Sequence, residues 1–255
     1  MDINRLLLRI RPVELATALK KILRISYREV RVGSRLFWLD PASNFGSRLI
    51  AEGSYEKELS TTLSRLLKPG DVFVDLGANE GYFSVLAGEI VGEEGHVYAV
   101  EPQARLWPVI LRNLMLNGLT GCTLIPYAVG PSEGFTDLLL YPSINTGAST
   151  GVWSPRRRGF KRQKVGMMPL ELMFHKFRIT KVSVLKIDIE GYELDALRSL
   201  GSGLHEGAVE NILMELHPAQ LGQLGQSVEE VWSLLEKNGY EKIHSSEFEH
   251  WVRRR

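Results

Sequence analysis

From residue 69 onward the chain alternates short apolar runs with amphipathic stretches, and this alternation limits the fold more than any other feature. Apolar runs too short to be helices fit strands buried on both faces, and the amphipathic segments between them fit crossover helices. The strand candidates are residues 72–76, 96–101, 122–129, 182–189 and 209–216. Strands connected through helices run parallel, so the pattern predicts an α/β fold on a mainly parallel sheet covered on both sides. Residues 240–244 and 248–252 read as two last strands joined by a short turn, which gives an antiparallel finish. Just before them, Ser227 and Glu230 form a capping box ahead of Val231, Leu234 and Leu235, and Gly239 stands where that helix should end.

Residues 1–50 read as a helix and hairpin extension, and residues 51–255 as the main domain. In the extension, Leu15, Ala18, Leu19 and Ile22 recur at helical spacing, with Lys20, Lys21 and Arg24 on the other faces, where they are expected to be solvated. Residues 29–32 and 35–40 flank Gly33-Ser34, a two-residue connection suited to a hairpin. Residues 1–35 hold nine Lys or Arg against three acids, an excess that also suits peripheral contact with a membrane surface or an acidic partner. One stretch breaks the regular alternation. Residues 131–168 are rich in Pro, Gly, Ser and Thr, carry the basic cluster Arg156, Arg157, Arg158, Lys161, Arg162 and Lys164, and read as a long irregular loop. Its place between the third and fourth strands predicts a lid over the crevice at the sheet's edge.

Thirty-one Lys and Arg against thirty Asp and Glu leave a net charge of +1, so no global field points to nucleic acid. A single cysteine, Cys122, excludes an internal disulfide framework and a Cys-rich zinc site, and fits a reducing, cytoplasmic setting. Charge interrupts every apolar stretch well before the length of a membrane span, and Arg5, Arg9 and Arg11 break the run that a secretory signal needs.

The sharpest local feature is the strand 72–76 running straight into Gly77-Ala78-Asn79-Glu80-Gly81 and then an amphipathic helix. Glycines there let backbone approach a ligand at the carboxyl end of a first strand, which is where nucleotide cofactors bind. Twenty residues after Gly81, Glu101 closes the second strand, where an acid can accept both hydroxyls of a ribose. A dinucleotide would need a second glycine where Asn79 stands, and Glu80 would repel a phosphate. No Gly-Lys-Ser/Thr follows a glycine-rich turn, so a phosphate loop is absent as well. S-adenosylmethionine has no phosphate and carries a sulfonium and an amino group, both favoured near Asp75 and Glu80.

Asp75 to Ser84 of this turn, Val100-Glu101-Pro102, and the block Lys186-Ile187-Asp188-Ile189-Glu190-Gly191-Tyr192-Glu193 together resemble the FkbM-type S-adenosylmethionine-dependent methyltransferases, over about residues 50–217. The resemblance implies a class I, Rossmann-like methyltransferase fold with a seven-stranded sheet and an antiparallel last strand. It also implies methyl transfer, usually to a hydroxyl oxygen. By position it places Asp75, Gly77, Ala78, Asn79 and Gly81 around the methionine half of the cofactor, Glu101 and Pro102 at the ribose, and Ala128 and Val129 at the adenine edge.

Read on its own, the Lys186 block puts Lys186 and Asp188 on one strand face and Leu185, Ile187 and Ile189 on the other. An unpaired buried carboxylate is costly, so Asp188 and Glu190 are expected at the strand's carboxyl edge, facing the crevice, with Lys186 free to pair with one of them. The next strand ends in Glu215-Leu216-His217-Pro218, which brings an imidazole to the same edge. A hydroxyl acceptor needs a base, and Asp188, Glu190 and His217 are the candidates. Carboxylates and one imidazole without fixed helical spacing make a weak metal signal, so no metal is assigned from sequence. The expected acceptor is a small-molecule or sugar-like hydroxyl. The rivals are a nucleic-acid methyltransferase, disfavoured by the missing Asn/Asp-Pro-Pro-aromatic segment, and a catalytically silent adaptor, disfavoured by the intact Gly77, Gly81 and Glu101.

Overall fold

The computed structural model describes residues 8, 10, 13–142, 145–152 and 161–254. Seven strands form the main sheet: β3 (Val72–Leu76), β4 (His96–Val100), β5 (Cys122–Ile125), β9 (Val182–Ile187), β10 (Val209–Met214), β11 (Tyr240–Ile243) and β12 (Glu249–Arg253). Their spatial order is β11-β12-β10-β9-β3-β4-β5. The five strands from β10 to β5 are parallel, and β12 runs antiparallel to both β10 and β11. This is the seven-stranded class I arrangement. Ser227 caps the helix Val228–Lys237 with its reciprocal bond to Glu230, and Gly239 follows it at φ +79°.

The period-two strand pattern explains the two cores. Val74, Leu76, Leu185 and Ile187 enter one cluster with Met173, Leu197 and Trp251, while Phe73, Val97 and Val184 enter another on the opposite face with Val85 and Ile110. The helices α4 (Tyr82–Val91) and α5 (Trp107–Leu116), which follow α2 (Asn44–Glu52) and α3 (Lys57–Leu66) along the chain, cover that second face.

Two strand readings change. Residues 122–129 do not form one strand, because Pro126 lacks the N–H that would continue the ladder. The chain turns there, with the Tyr127 N–H donating to the Ile125 carbonyl at 3.0 Å, and β6 (Ala128–Val129) joins a second sheet. The segment 131–168 is not one irregular loop, because two strands run through it. β7 (Gly134–Leu140) and β8 (Lys161–Met168) pair antiparallel from Gly134↔Met167 to Leu140↔Lys161, and β8 pairs parallel with β6. Its polar, glycine-bearing sequence belongs to a small sheet with one exposed face, where Phe135 is 70% exposed and Lys164 lies over its ring. Arg156, Arg157 and Arg158 lie outside the described residues; Lys161, Arg162 and Lys164 sit in β8.

The N-terminal extension comprises the helix α1 (Val13–Ile22) and the hairpin β1 (Arg28–Val32) and β2 (Arg35–Leu39). It shares a core with the main sheet through Phe37 and Leu39, and the exposed edge of β2 is satisfied by side chains of α5 and its cap. The Trp38 N–H donates to Asn113 Oδ1 at 2.6 Å, and the Leu36 N–H to Asn117 Oδ1 at 3.0 Å. Lys20 departs from the expected solvated face: it is buried and ion-paired with the fully buried Asp40, whose other oxygen accepts the Ala42 N–H. Among the described residues no helix is long and apolar enough to cross a membrane.

Removing one partner of a buried pair strands the other charge. Lys20→Met should therefore lower unfolding stability by about 3 kcal/mol in a thermal or urea melt, and a variant as stable as the parent would show that the pair does not hold the extension.

Candidate active site

The carboxyl ends of β3, β4, β9 and β10 open onto one crevice, and the turn after β3 forms its floor. Gly77 adopts φ +82°, and a Cβ there would sit 1.9 Å from the Asp188 carbonyl oxygen, so only glycine lets the turn lie against the end of β9. The Gly77 and Ala78 N–H groups both donate to the Val100 carbonyl, at 3.0 and 3.1 Å. Asn79 also has positive φ, +49°, and its N–H donates to Glu101 Oε2 at 2.8 Å. The Gln103 N–H donates to Glu101 Oε1 at 2.9 Å. The carboxylate that the sequence singles out is thus fixed by backbone donors from both sides. Burial pushes its pKa up to about 7 against the pull of those donors.

Below the turn lies a buried ion pair. Asp75 is fully buried and stands opposite Lys186 in the β3–β9 register. Lys186 Nζ is 3.2 Å from Asp75 Oδ1 and 3.8 Å from Asp188 Oδ2, and the Ser84 hydroxyl donates to Asp75 Oδ2 at 2.7 Å. Burial pulls the lysine's pKa down, but Asp75 and Asp188 outweigh it and hold the ammonium above its ordinary range. Glu80 departs from the simple charge argument. Only 1% exposed, it faces Lys20, Tyr27 and Arg105, and burial pushes its carboxyl up to about 8, which favours its neutral form.

At the ends of β9 and β10 the sequence candidates come together around one imidazole. His217 Nδ1 is 2.7 Å from Oε1 of the fully buried Glu193. On the other side of the ring, Nε2 lies 3.9 Å from Asp188 Oδ1, 3.8 Å from Glu190 Oε1 and 3.9 Å from Glu215 Oε1, beyond hydrogen-bond reach of each. Burial opposes the imidazolium, but the Glu193 bond and the charges of Glu190 and Asp188 prevail and push its pKa up to about 9. Ligand atoms of Asp188, Glu215 and His217 all lie within 4.8 Å of one another. Glu190 holds φ +55°, unusual for a side-chain-bearing residue, and two bonds secure it: the Thr150 hydroxyl donates to its carbonyl at 2.5 Å and the Gln220 amide to its Oε2 at 2.9 Å.

A cavity of about 310 Å³ joins these parts. Gly77, Ala78, Asn79, Glu101, Pro102, Ala128 and Val129 line one end, and Asp188, Glu190, Glu215 and His217 the other, with Thr136, Leu138, Ser149 and Met167 of the β7–β8 region along the wall. Asp75 and Gly81 do not line it: the first lies beneath in its ion pair, and the second packs on Ile110. Ser149 Oγ accepts the Tyr141 N–H at 3.0 Å and an Arg105 N–H at 3.2 Å, and Thr150 Oγ1 accepts the Val152 N–H at 3.0 Å besides its bond to the Glu190 carbonyl, so neither hydroxyl serves only a local turn. No sequence signal marks Arg48, in the helix Asn44–Glu52, or Tyr55 and Glu56, in the connection after it, which line the cavity. Burial lifts the Glu56 carboxyl to about 7, and burial with the Asp188 charge raises Glu215. Glu193, the last acid of the Lys186 block, has a readable position but no readable role, because its partner arrives from another strand.

Both glycines of the turn have positive φ, but only at Gly77 would a Cβ clash with backbone. Gly77→Ala should cost about 2 to 5 kcal/mol, from strain plus displacement of the Asp188 carbonyl. Gly81→Ala, whose Cβ would meet Ile110 at an ordinary 3.4 Å, should cost about 1 to 2 kcal/mol. Equal losses in denaturant titrations would contradict the close approach.

Residues 75–242 match the family model of the methyltransferase FkbM domain, which begins later and ends later than the resemblance read from the motifs. No curated protein matches the sequence. Solved structures of similar shape include an rRNA methylase from Streptococcus thermophilus, with 12% identity, 76% of this chain and 91% of that one covered, and a TM-score of 0.46. Aeropyrum pernix fibrillarin, solved with natively bound S-adenosyl-L-methionine, shows 14% identity over 76% of this chain and 73% of its own, with a TM-score of 0.43. A SAM dependent methyltransferase from Aquifex aeolicus shows 14% identity over 79% and 93%, with a TM-score of 0.41. With two thirds of its length matched and the glycine turn, the acid after β4 and the Lys186 block all in place, the chain belongs to the FkbM methyltransferase family, whose cofactor is S-adenosylmethionine.

Proposed function

We propose that the protein transfers the methyl group of S-adenosylmethionine to a hydroxyl oxygen of a small-molecule or sugar-like acceptor. The observation that carries this reading is the single cavity that has a ribose-type acid at one end and a cluster of carboxylates around an imidazole at the other. The cofactor end fits its ligand chemically. Glu101 has acceptor capacity for ribose hydroxyls, Ala128 and Val129 offer an apolar edge for adenine, and the Gly77–Asn79 backbone offers close approach without side-chain bulk. Asp75 and Gly81, which the resemblance places at the methionine half, set the turn's shape instead, Asp75 beneath it in the ion pair with Lys186 and Gly81 at its end against Ile110. Bound there, S-adenosylmethionine supplies an electrophilic methyl group, and the electron pair of the broken S–C bond remains on sulfur.

The chain's own residues then have to align a hydroxyl and remove its proton. Asp188 is the most accessible of the three candidates, its side chain 31% exposed against 15% for Glu190 and 13% for His217, so it meets the acceptor first. The proton passes to the Asp188 and Glu190 carboxylates, while His217, committed to Glu193 through Nδ1, keeps the acids in place. The predominance of carboxylates around this end favours a polyhydroxyl acceptor over a polyanion such as nucleic acid. The β7–β8 hairpin and Ser149 form one wall of the cavity, a position from which the segment can exclude water around a bound acceptor.

Glu101→Ala should weaken S-adenosylmethionine binding in calorimetry by about 1.5 to 3 kcal/mol for each lost charge-assisted bond; unchanged affinity in a folded variant would remove Glu101 from the cofactor site. Because ribose hydroxyls donate to the ionised acid, and burial sets that acid at about 7 in the free protein, affinity should be highest above neutral pH. It should fall toward tenfold per unit as the pH drops below that value. Asp188→Asn should lower methyl transfer to hydroxylated metabolites by about 100-fold or more with cofactor affinity retained, and transfer at the parental rate would make Asp188 structural.

A further inference from the structure

We propose that Asp188, Glu215 and His217 form a binding site for a divalent cation of the Mn²⁺ type at the acceptor end of the cavity. Their ligand atoms lie within 4.8 Å of one another. The Nε2 distances of 3.9 Å to Asp188 Oδ1 and to Glu215 Oε1 are too long for hydrogen bonds. They fall between the cis and trans donor separations, about 3.0 and 4.2 Å, of an octahedral ion with bonds near 2.1 Å. Glu215 is 52% exposed and Asp188 31% exposed, so both carboxylates can close on an ion by side-chain rotation alone.

A second observation points the same way from behind the ring. Glu193 is fully buried and uses one oxygen, Oε1, to accept both the Gly191 N–H at 2.9 Å and the His217 Nδ1–H at 2.7 Å. That bond fixes the ring's orientation and aims Nε2 at the three carboxylate oxygens. A buried carboxylate holding the far nitrogen of an imidazole is the arrangement that orients histidine ligands toward metals. Charge supplies a third argument. Glu56, Asp188, Glu190, Glu193 and Glu215 crowd this end of the cavity, while Lys186 is already committed to Asp75. Acids outnumber cations at this end, and a cluster of carboxylate oxygens favours a divalent cation. Carboxylate oxygens with one imidazole suit Mn²⁺ better than Ca²⁺, which favours oxygen alone, and better than thiolate-seeking metals.

What the ion would do rests on the hydroxyl-acceptor reading above. Three protein ligands leave coordination positions open, and an acceptor hydroxyl bound to one of them becomes more acidic. With Asp188 engaged on the ion, the proton goes to the other of the two carboxylates, Glu190, whose Oε1 lies beside the site but outside the ligand set.

The test is direct binding of Mn²⁺ to chelator-stripped protein, monitored by the loss of the free-ion EPR signal. One Mn²⁺ should bind per chain. Glu215→Gln, at an exposed position that leaves the fold intact, and His217→Asn should abolish binding at the same concentrations. Glu193→Gln should weaken it by about 10- to 100-fold through the ring orientation alone, with parental melting curves confirming each variant's fold. Absence of binding to the parent protein, or binding that survives both Glu215→Gln and His217→Asn, overturns the site. Methyl transfer to a hydroxyl that proceeds undiminished in excess chelator also overturns it while leaving the transfer reading intact. Mn²⁺ binding lost in the variants supports the site even if the acceptor proves not to be a hydroxyl.

Discussion

The ion pair between Asp75 and Lys186 ties the two central strands together at the point where the chemistry begins. A carboxylate and an ammonium, both almost fully buried, stand opposite each other across β3 and β9. Each would be prohibitively costly alone, and the Ser84 hydroxyl takes up the second carboxylate oxygen. Because the pair fixes how the ends of β3 and β9 meet, it also positions the turn after β3 and the acid-bearing segment after β9. Gly77 can lie against the Asp188 carbonyl only in this register, and Asp188 in turn stands 3.8 Å from the same lysine. The cofactor turn and the acid cluster are therefore two outputs of one buried contact.

The cavity divides electrostatically along the same line. On the Glu101 side a single acid is held by backbone N–H groups, and apolar walls lie beyond it. On the His217 side several carboxylates share one imidazole, and burial and mutual repulsion raise Glu215 while burial raises Glu56. Such an end favours hydroxyl groups and cations and resists polyanions. The family assignment establishes methyl transfer; the proposal of a hydroxyl acceptor rests on this uneven distribution of charge.

Much of this could be read from the chain because the decisive signals are local. The period-two pattern of 72–76 and 182–187 predicts both buried faces, and the capping box at Ser227 marks its helix within one residue. The acids at positions 101, 188 and 190 come after strands whose ends are visible as changes in hydropathy. What stayed hidden depends on partners remote in sequence. Lys20 looks solvated until Asp40, twenty residues on, is seen to be buried beside it. Glu193 has no apparent task until His217 arrives after β10, and Arg48 and Glu56 reach the cavity from the helix Asn44–Glu52 and the connection after it, where no motif stands. The β7–β8 hairpin was obscured for a different reason: its exposed face carries the glycine and charge that otherwise mark loops, and Pro126 moves the chain from one sheet to another within a single apolar run.

The most direct test of the account is a crystal structure of the protein with S-adenosylhomocysteine, the product that remains after transfer. The ribose should lie on Glu101, the adenine against Ala128 and Val129, and the sulfur should face the Asp188 and His217 end of the cavity. A ligand bound elsewhere, or one bound in this cavity with its ribose away from Glu101 and its sulfur turned from Asp188, would contradict the division of the cavity into cofactor and acceptor halves.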